Sequence, residues 1–227
     1  MLYRLQREIE NLKKRILTLG ALVEEHVYLA VKAISDRDEK LAQQVIDGDM
    51  KIDEMEVDLE EECLKLLALH QPVAIDLRFI VAVLKINNDL ERIGDLAVNI
   101  GERAAYLAVK EPVKMPFDFK KMTDKVRTML KKSLDSLVNV DTKLALEVGG
   151  MDDEVDAINR ETYRKVAEGI KKHPEQSDCL LHLLSVSRHL ERMADQATNI
   201  AEDVIYMIDG TIVRHKTEKY VTSSIKK

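Results

Sequence analysis

The chain has no tryptophan, three phenylalanines, six tyrosines, two cysteines, four prolines and eight glycines in 227 residues. So few prolines and glycines leave too little turn chemistry for a many-stranded β protein. So few aromatics, with 35 basic against 41 acidic side chains and a net charge of −6, exclude the stacking platforms and basic patches of a nucleic-acid reader. Cys63 and Cys179 form no CxxC pair, which suits reduced thiols in a cytosolic protein rather than a disulfide framework. The longest apolar run is Phe79 to Leu84, six residues, against roughly 20 for a membrane-spanning helix. The N-terminus is a charged amphipathic stretch without the apolar core of a secretory signal. GxGxxG, GxxxxGK[ST] and GxSxG are absent. No histidine has a glutamate three residues before it, as a carboxylate-bridged di-metal oxidase would require.

What is present is helical periodicity. Leu5, Ile9, Leu12, Ile16, Leu19, Val23, Ala30 and Ile34 fall at 3-4 spacing, with His26 filling the gap. Ser35 is the expected N-cap of a second helix that carries Leu41, Val45, Ile52, Leu59, Cys63 and Leu66. Gln71-Pro72 ends it, because a residue before proline is pushed out of the α region. A third helix runs from Pro72 through Ile86, Ile93, Ile100 and Leu107. Residues 109–118 hold Pro112 and Pro116 and read as a linker. The pattern then restarts with Met122, Val126 and Leu137, with a helix capped by Asp141 and ended by His173-Pro174, and with a last helix from Ser177 to Asp209 before Gly210.

The second half copies the first. Adding 103 to Leu19, Val23, Asp38, Leu41, Val45 and Ile52 gives Met122, Val126, Asp141, Leu144, Val148 and Val155. For the third helix the offset is 100, and eight of thirteen positions in 90–102 are identical to 190–202. Heptad spacing explains the apolar matches but not Glu91/Glu191, Arg92/Arg192, Asp95/Asp195 and Asn99/Asn199. The expectation is an all-α fold: a tandem pair of antiparallel three-helix bundles, six long helices related by duplication. Residues 1–108 form the first repeat, 109–118 the linker, 119–210 the second repeat and 211–227 a basic tail.

The polar residues that recur form a pattern of their own. Residues 36–62 hold twelve acids and three bases. Glu91 and Asp95 are four apart and project from one face of their helix, as Glu191 and Asp195 do. Asp49 and Asp53 lie beside the core stripe of the second helix, with Asp152 and Asp156 as their copies. Packing the second helix beside the third would bring Asp49, Asp53, Glu91 and Asp95 together in one repeat and Asp152, Asp156, Glu191 and Asp195 in the other. Like charges ~4 Å apart repel by about 4 kcal/mol at an effective dielectric near 20, so such a group calls for a cation, an arginine or a proton. All-oxygen ligands favour hard cations, namely Mg²⁺, Ca²⁺, Mn²⁺ or iron, over zinc. The competing reading is a solvated ion-pair network in which Arg92 and Arg192 pair with the acids.

Three segments resemble those of the bacterial phosphate-uptake regulators called PhoU. They are Gly48-Asp49-Met50-Lys51-Ile52-Asp53-Glu54-Met55-Glu56, Gln71-Pro72-Val73-Ala74-Ile75-Asp76-Leu77-Arg78 and Leu90-Glu91-Arg92-Ile93-Gly94-Asp95. Leu190-Glu191-Arg192-Met193-Ala194-Asp195 resembles the family's second repeat, with Ala194 where glycine is frequent, and Arg78 has no copy because position 178 is Asp178. The resemblance implies a non-enzymatic cytoplasmic regulator that keeps phosphate uptake and kinase signalling low when phosphate is plentiful. Its implied partners are the ATPase side of the phosphate-specific ABC transporter and the phosphate-regulon sensor histidine kinase. It implies a homodimer or higher oligomer, no nucleic acid, and contact with the membrane only through partners. It also implies surface metal ions, in some members, at the positions of Asp49, Asp53, Glu91, Asp95, Asp152, Asp156, Glu191 and Asp195. An accessory protein of a phosphate permease and a metal-dependent enzyme built on the acidic groups are the alternatives, the second disfavoured because no nucleophile or base stands apart from the ligands.

Overall fold

A computed structural model describes residues 2–213, with side chains from Arg4. The basic tail therefore lies, from Arg214 on, outside the described residues. The helices are α1 (Leu2–Asp36), α2 (Glu39–Gly48), α3 (Met50–His70), α4 (Ala74–Ala108), α5 (Phe119–Asn139), α6 (Thr142–Lys172) and α7 (Ser177–Asp209), with a 3₁₀ turn at Pro174–Gln176. Among the described residues there is no strand.

The expected second helix is interrupted at Asp49 and so becomes α2 and α3. The interruption is local: Asp49 keeps right-handed helical angles, and its carbonyl accepts from the N–H groups of Ile52 and Asp53. It falls where Gly48 passes the buried His26 ring, so close that a Cβ at 48 would stand 2.9 Å from His26 Cε1. In the second repeat the same two positions are Met151 in α6 and Met129 in α5, and α6 runs unbroken through Met151.

The N-cap of α2 is Asp38, whose carboxylate accepts from Leu41 N–H, and not Ser35. Ser35 is still inside α1 and donates its hydroxyl to the Val31 carbonyl. The aspartate caps because the chain leaves α1 only after Asp36, turns at Arg37 with φ 54°, and sets Asp38 in extended conformation before the free N–H groups of the first turn. Its copy Asp141 caps α6 through Lys143 and Leu144 N–H. Gln71 closes α3 in the left-handed conformation, and Gly210 closes α7 at φ +68°.

Side-chain contacts fix the helix directions. Glu8 reaches His70 and Arg15 reaches Glu62, while Lys125 reaches Glu154 and Lys132 reaches Glu147, so α1 is antiparallel to α3 and α5 to α6. Asn87 bonds the Glu56 carbonyl, and Ser187 donates to Asn159, at equivalent places in the two repeats. Between the repeats, Tyr106 stacks on His182 at 3.8 Å, Lys85 meets the buried Asp203 at 2.9 Å, and Arg78 Nε donates to the Met207 carbonyl. These three contacts run α4 antiparallel to α7. One continuous apolar core results, from Leu12 and Ile16 through Ile93 and Ile100 to Leu190 and Ile200. Arg78, unique to the first repeat, thus serves the end of α7.

Candidate functional site

The acidic residues sit where α3 crosses α4. Ile52 is fully buried, which holds the turn of Asp49 and Asp53 against α4. Gly94 permits the approach: a Cβ there would meet Ile52 Cδ1 at 3.2 Å and Asp49 Oδ1 at 3.4 Å. At the copied position Ala194 is fully buried, so the second crossing absorbs one methyl group.

The electrostatics show which acids share a field. Burial pushes the Asp49 carboxyl up to about 6, with further pressure from Asp53 and Asp95. Glu91 is raised by burial and by Asp95, Glu56 and Asp53. In the second repeat burial pushes Asp152 up to about 6, helped by Asp195, Asp156, Asp153 and Glu191. Glu191 and Asp195 are raised by burial and by one or more neighbouring acids, against the lowering effect of nearby arginines. All eight expected residues therefore fall into two groups of four, one per repeat. Asp49, Glu91, Asp152, Asp156 and Glu191 are half-buried, while Asp53, Asp95 and Asp195 are exposed.

Two observations bear on a cation. Oδ1 of Asp49 and Oδ1 of Asp152 are buried and have no hydrogen-bond partner. A buried carboxylate oxygen without a donor is costly, and a hard cation is one group that answers it. The donors are all oxygen, so they fit Mg²⁺, Ca²⁺, Mn²⁺ or iron in chemistry. The side chains do not close on a point, however. Among the described residues, no three His, Cys, Asp or Glu side chains stand in a ligating arrangement. Carboxylates that repel one another spread when nothing compensates them.

The arginines do not form the expected ion-pair network in the first repeat. Arg92 is exposed and approaches Asp89 at 3.8 Å; it lowers Glu91 through space but makes no ion pair with Glu91 or Asp95. The second repeat differs: Arg160 pairs with Asp156 at 3.2 Å, and Arg188 and Arg192 both lower Glu191. Glu56 also belongs to the first group, since it raises Glu91 and is itself raised by burial, Glu60 and Asp53. Its copy is Asn159, a neutral residue bonded to Ser187. The first group thus has one more acid and fewer cations than the second. Glu56 and its partner Asn87 were missed from sequence. Their signal was spacing: Glu56 lies seven residues after Asp49, and Asn87 four before Glu91.

The PhoU domain model matches the chain twice, at residues 16–104 and 119–204. The chain belongs to the PhoU family. Relatives agree over nearly the full length. A phosphate-specific transport system accessory protein PhoU homolog of Aquifex aeolicus is 39% identical over 213 residues, covering 94% of this chain and 96% of that protein. A homolog of the same name from Pseudomonas putida is 37% identical over 96% of this chain and 86% of its own length. The crystal structure of PhoU from Pseudomonas aeruginosa superposes with a TM-score of 0.87 at 37% identity, covering 91% of this chain and 99% of that one. The phosphate transport system regulatory protein PhoU of Streptococcus pneumoniae gives 0.81 at 27% identity over 92% and 99%. PhoU proteins form a regulatory and accessory family, not an enzyme family, so the metal-dependent enzyme is set aside. No helix among the described residues is long and apolar enough to cross a membrane.

Proposed function

We propose that this chain is an accessory regulator of phosphate uptake and phosphate-regulon signalling. It acts in the cytoplasm, as a homodimer or higher oligomer, by binding the ATPase side of a phosphate-specific ABC transporter and the sensor histidine kinase of the regulon. The observation that carries this reading is the match of both repeats to one family whose relatives, aligned over nearly the whole chain, bear the name of phosphate-transport accessory proteins. A protein without turnover regulates by occupying a surface on its partners, and its effect is the free energy of that contact.

The carboxylate groups have a place in this reading. Asp49, Asp53, Glu91 and Asp95 would hold a hard cation in the first repeat, and Asp152, Asp156, Glu191 and Asp195 in the second. The cation supplies charge neutralisation between helices that otherwise repel. This chain's residues do the rest: Asp49 and Asp152 offer unpartnered buried oxygens, and Gly94 keeps α3 close to α4. The first repeat is the tighter of the two, because Glu56 adds an acid where Asn159 adds none and because Arg160 competes for Asp156.

The test of the partner reading is affinity purification of the tagged full chain from its own host in phosphate-rich medium. Recovery of the transporter ATPase or the sensor kinase supports it. Reproducible absence of both contradicts it.

A further inference from the structure

The outward side of α3 carries a second apolar stripe that the bundle does not use. At 100° per residue Met50, Val57, Leu64 and Ala68 fall within about 40° of one another. The buried residues Ile52, Leu59, Cys63 and Leu66 lie roughly opposite them. Met50, Val57 and Leu64 are 68, 51 and 53% exposed, at successive seven-residue steps. Leu69, in the last turn of α3, and Val73 and Ile75 beyond it are exposed as well. Beside it, Leu64 and Leu69 line an open groove of about 740 Å³ between α3 and α1, in which four acids outnumber the two bases Arg15 and Lys65.

The duplication supplies an internal control. The second repeat folds into the same three-helix unit, yet its copies of Met50, Val57 and Leu64 are Asp153, Arg160 and the smaller Ala167. A solvated face there is enough for folding. The apolar stripe on α3 is therefore not a requirement of the bundle, and a contiguous exposed apolar patch rimmed by polar residues marks an interaction surface.

The rim names the occupant. From Asp53 to Leu64 there are seven acids and no base. Glu54, Asp58 and Glu61 flank one side of the stripe, and Glu60 the other. A heptad stripe between charged flanks is the geometry of helix-on-helix docking, with flanking charges setting partner choice. A second copy of α3 would set acids against acids, and an anionic lipid surface would be repelled likewise. We propose that the outward face of α3 is the docking surface for a basic amphipathic helix on another polypeptide, its apolar side on Met50, Val57 and Leu64 and its lysines or arginines against the flanking acids. This goes beyond the functional reading above and does not depend on cation binding.

The test uses the full chain and a fluorescent synthetic helix matched in length to the 21 residues of α3. The probe carries leucine at heptad positions and lysine on its flanks. One control has the same composition scrambled, and another has glutamate for lysine. Binding is read by fluorescence anisotropy. The expected result is binding of the basic heptad helix only, weakened about tenfold or more by V57S/L64S, and by V57R, which carries the residue found in the second repeat. Both variants should keep the wild-type melting temperature, since these side chains touch solvent. Equal binding by wild type and variants, or by the scrambled peptide, would overturn the proposal. A shift in sedimentation of the V57S/L64S chain would assign the face to a second copy and overturn it. Tighter probe binding after substitution of Lys219, Lys226 and Lys227 by glutamate would assign it to the chain's own tail, with the same consequence.

Discussion

Asp49→Asn should stabilise the cation-free protein at neutral pH. In the folded chain this carboxyl titrates at about 6 rather than 3.8, raised first by burial and then by Asp53 and Asp95. At ~1.36 kcal/mol per pH unit, that difference amounts to roughly 3 kcal/mol of unfavourable free energy at pH 7. The side chain is only half-buried, so solvent screening reduces this to about 1 kcal/mol. Asparagine removes the charge and forfeits no hydrogen bond at Oδ1, which has none. The melting temperature should rise by about 2–4 °C in a chain of this size. The pH dependence has a definite sign. A carboxyl raised on folding binds more protons in the folded state between pH 4 and 6, so its favourable contribution is full below about 4 and is lost as pH rises through about 6. The gap between Asp49→Asn and wild type should therefore be widest near pH 7 and close toward pH 4. Calorimetric melts in chelator across that range would measure it. A variant less stable than wild type at pH 7, or a gap that does not change with pH, would refute the reasoning. With Mn²⁺ present the order should reverse, since the wild type alone then has its full set of donors.

Other outcomes follow from the same contacts. Titration of chelator-treated protein with Mn²⁺ by calorimetry should show a tighter and a weaker site, and Glu91→Ala with Asp95→Ala should remove the tighter one while far-ultraviolet circular dichroism stays unchanged. Absence of heat with Mg²⁺, Mn²⁺, Ca²⁺ and iron alike would turn the acids into a solvated or docking surface. Gly48→Ala should lower stability by about 1–2 kcal/mol in urea melts, because the new Cβ meets the buried His26 ring at 2.9 Å. Helix propensity alone would give a gain of about 1 kcal/mol, so the sign decides between them. Arg78→Ala should cost about 1 kcal/mol and raise amide exchange at the end of α7, since it removes the donor to the Met207 carbonyl.

Much of this was written in the sequence because long helices repeat their apolar spacing many times over. Leu12, Ile16, Leu19 and Val23 form an unbroken buried stripe, and the duplicated Leu-Glu-Arg segments announced the second repeat. Caps were harder. Ser35 and Asp38 both suit an N-cap, and only the tertiary path of the chain selects the aspartate. The interruption at Asp49 depends on His26 lying against Gly48, a contact between helices that no local pattern encodes. In the acidic groups, the four-residue spacings were legible on each helix alone. Glu56 and Asn87 were not, because their role arises from the crossing of α3 and α4, where Asn87 bonds the Glu56 backbone. The common core of the two repeats was likewise invisible, since the stripes of α4 and α7 do not say that they face each other.

The regulatory role is tested most directly in the host, with a phosphate-regulon reporter measured in phosphate-rich medium. Deletion of this chain should raise the reporter to the level seen in phosphate starvation, and the wild-type chain supplied in trans should return it to baseline. A reporter that stays low after deletion, with transporter and kinase intact, would contradict the assignment.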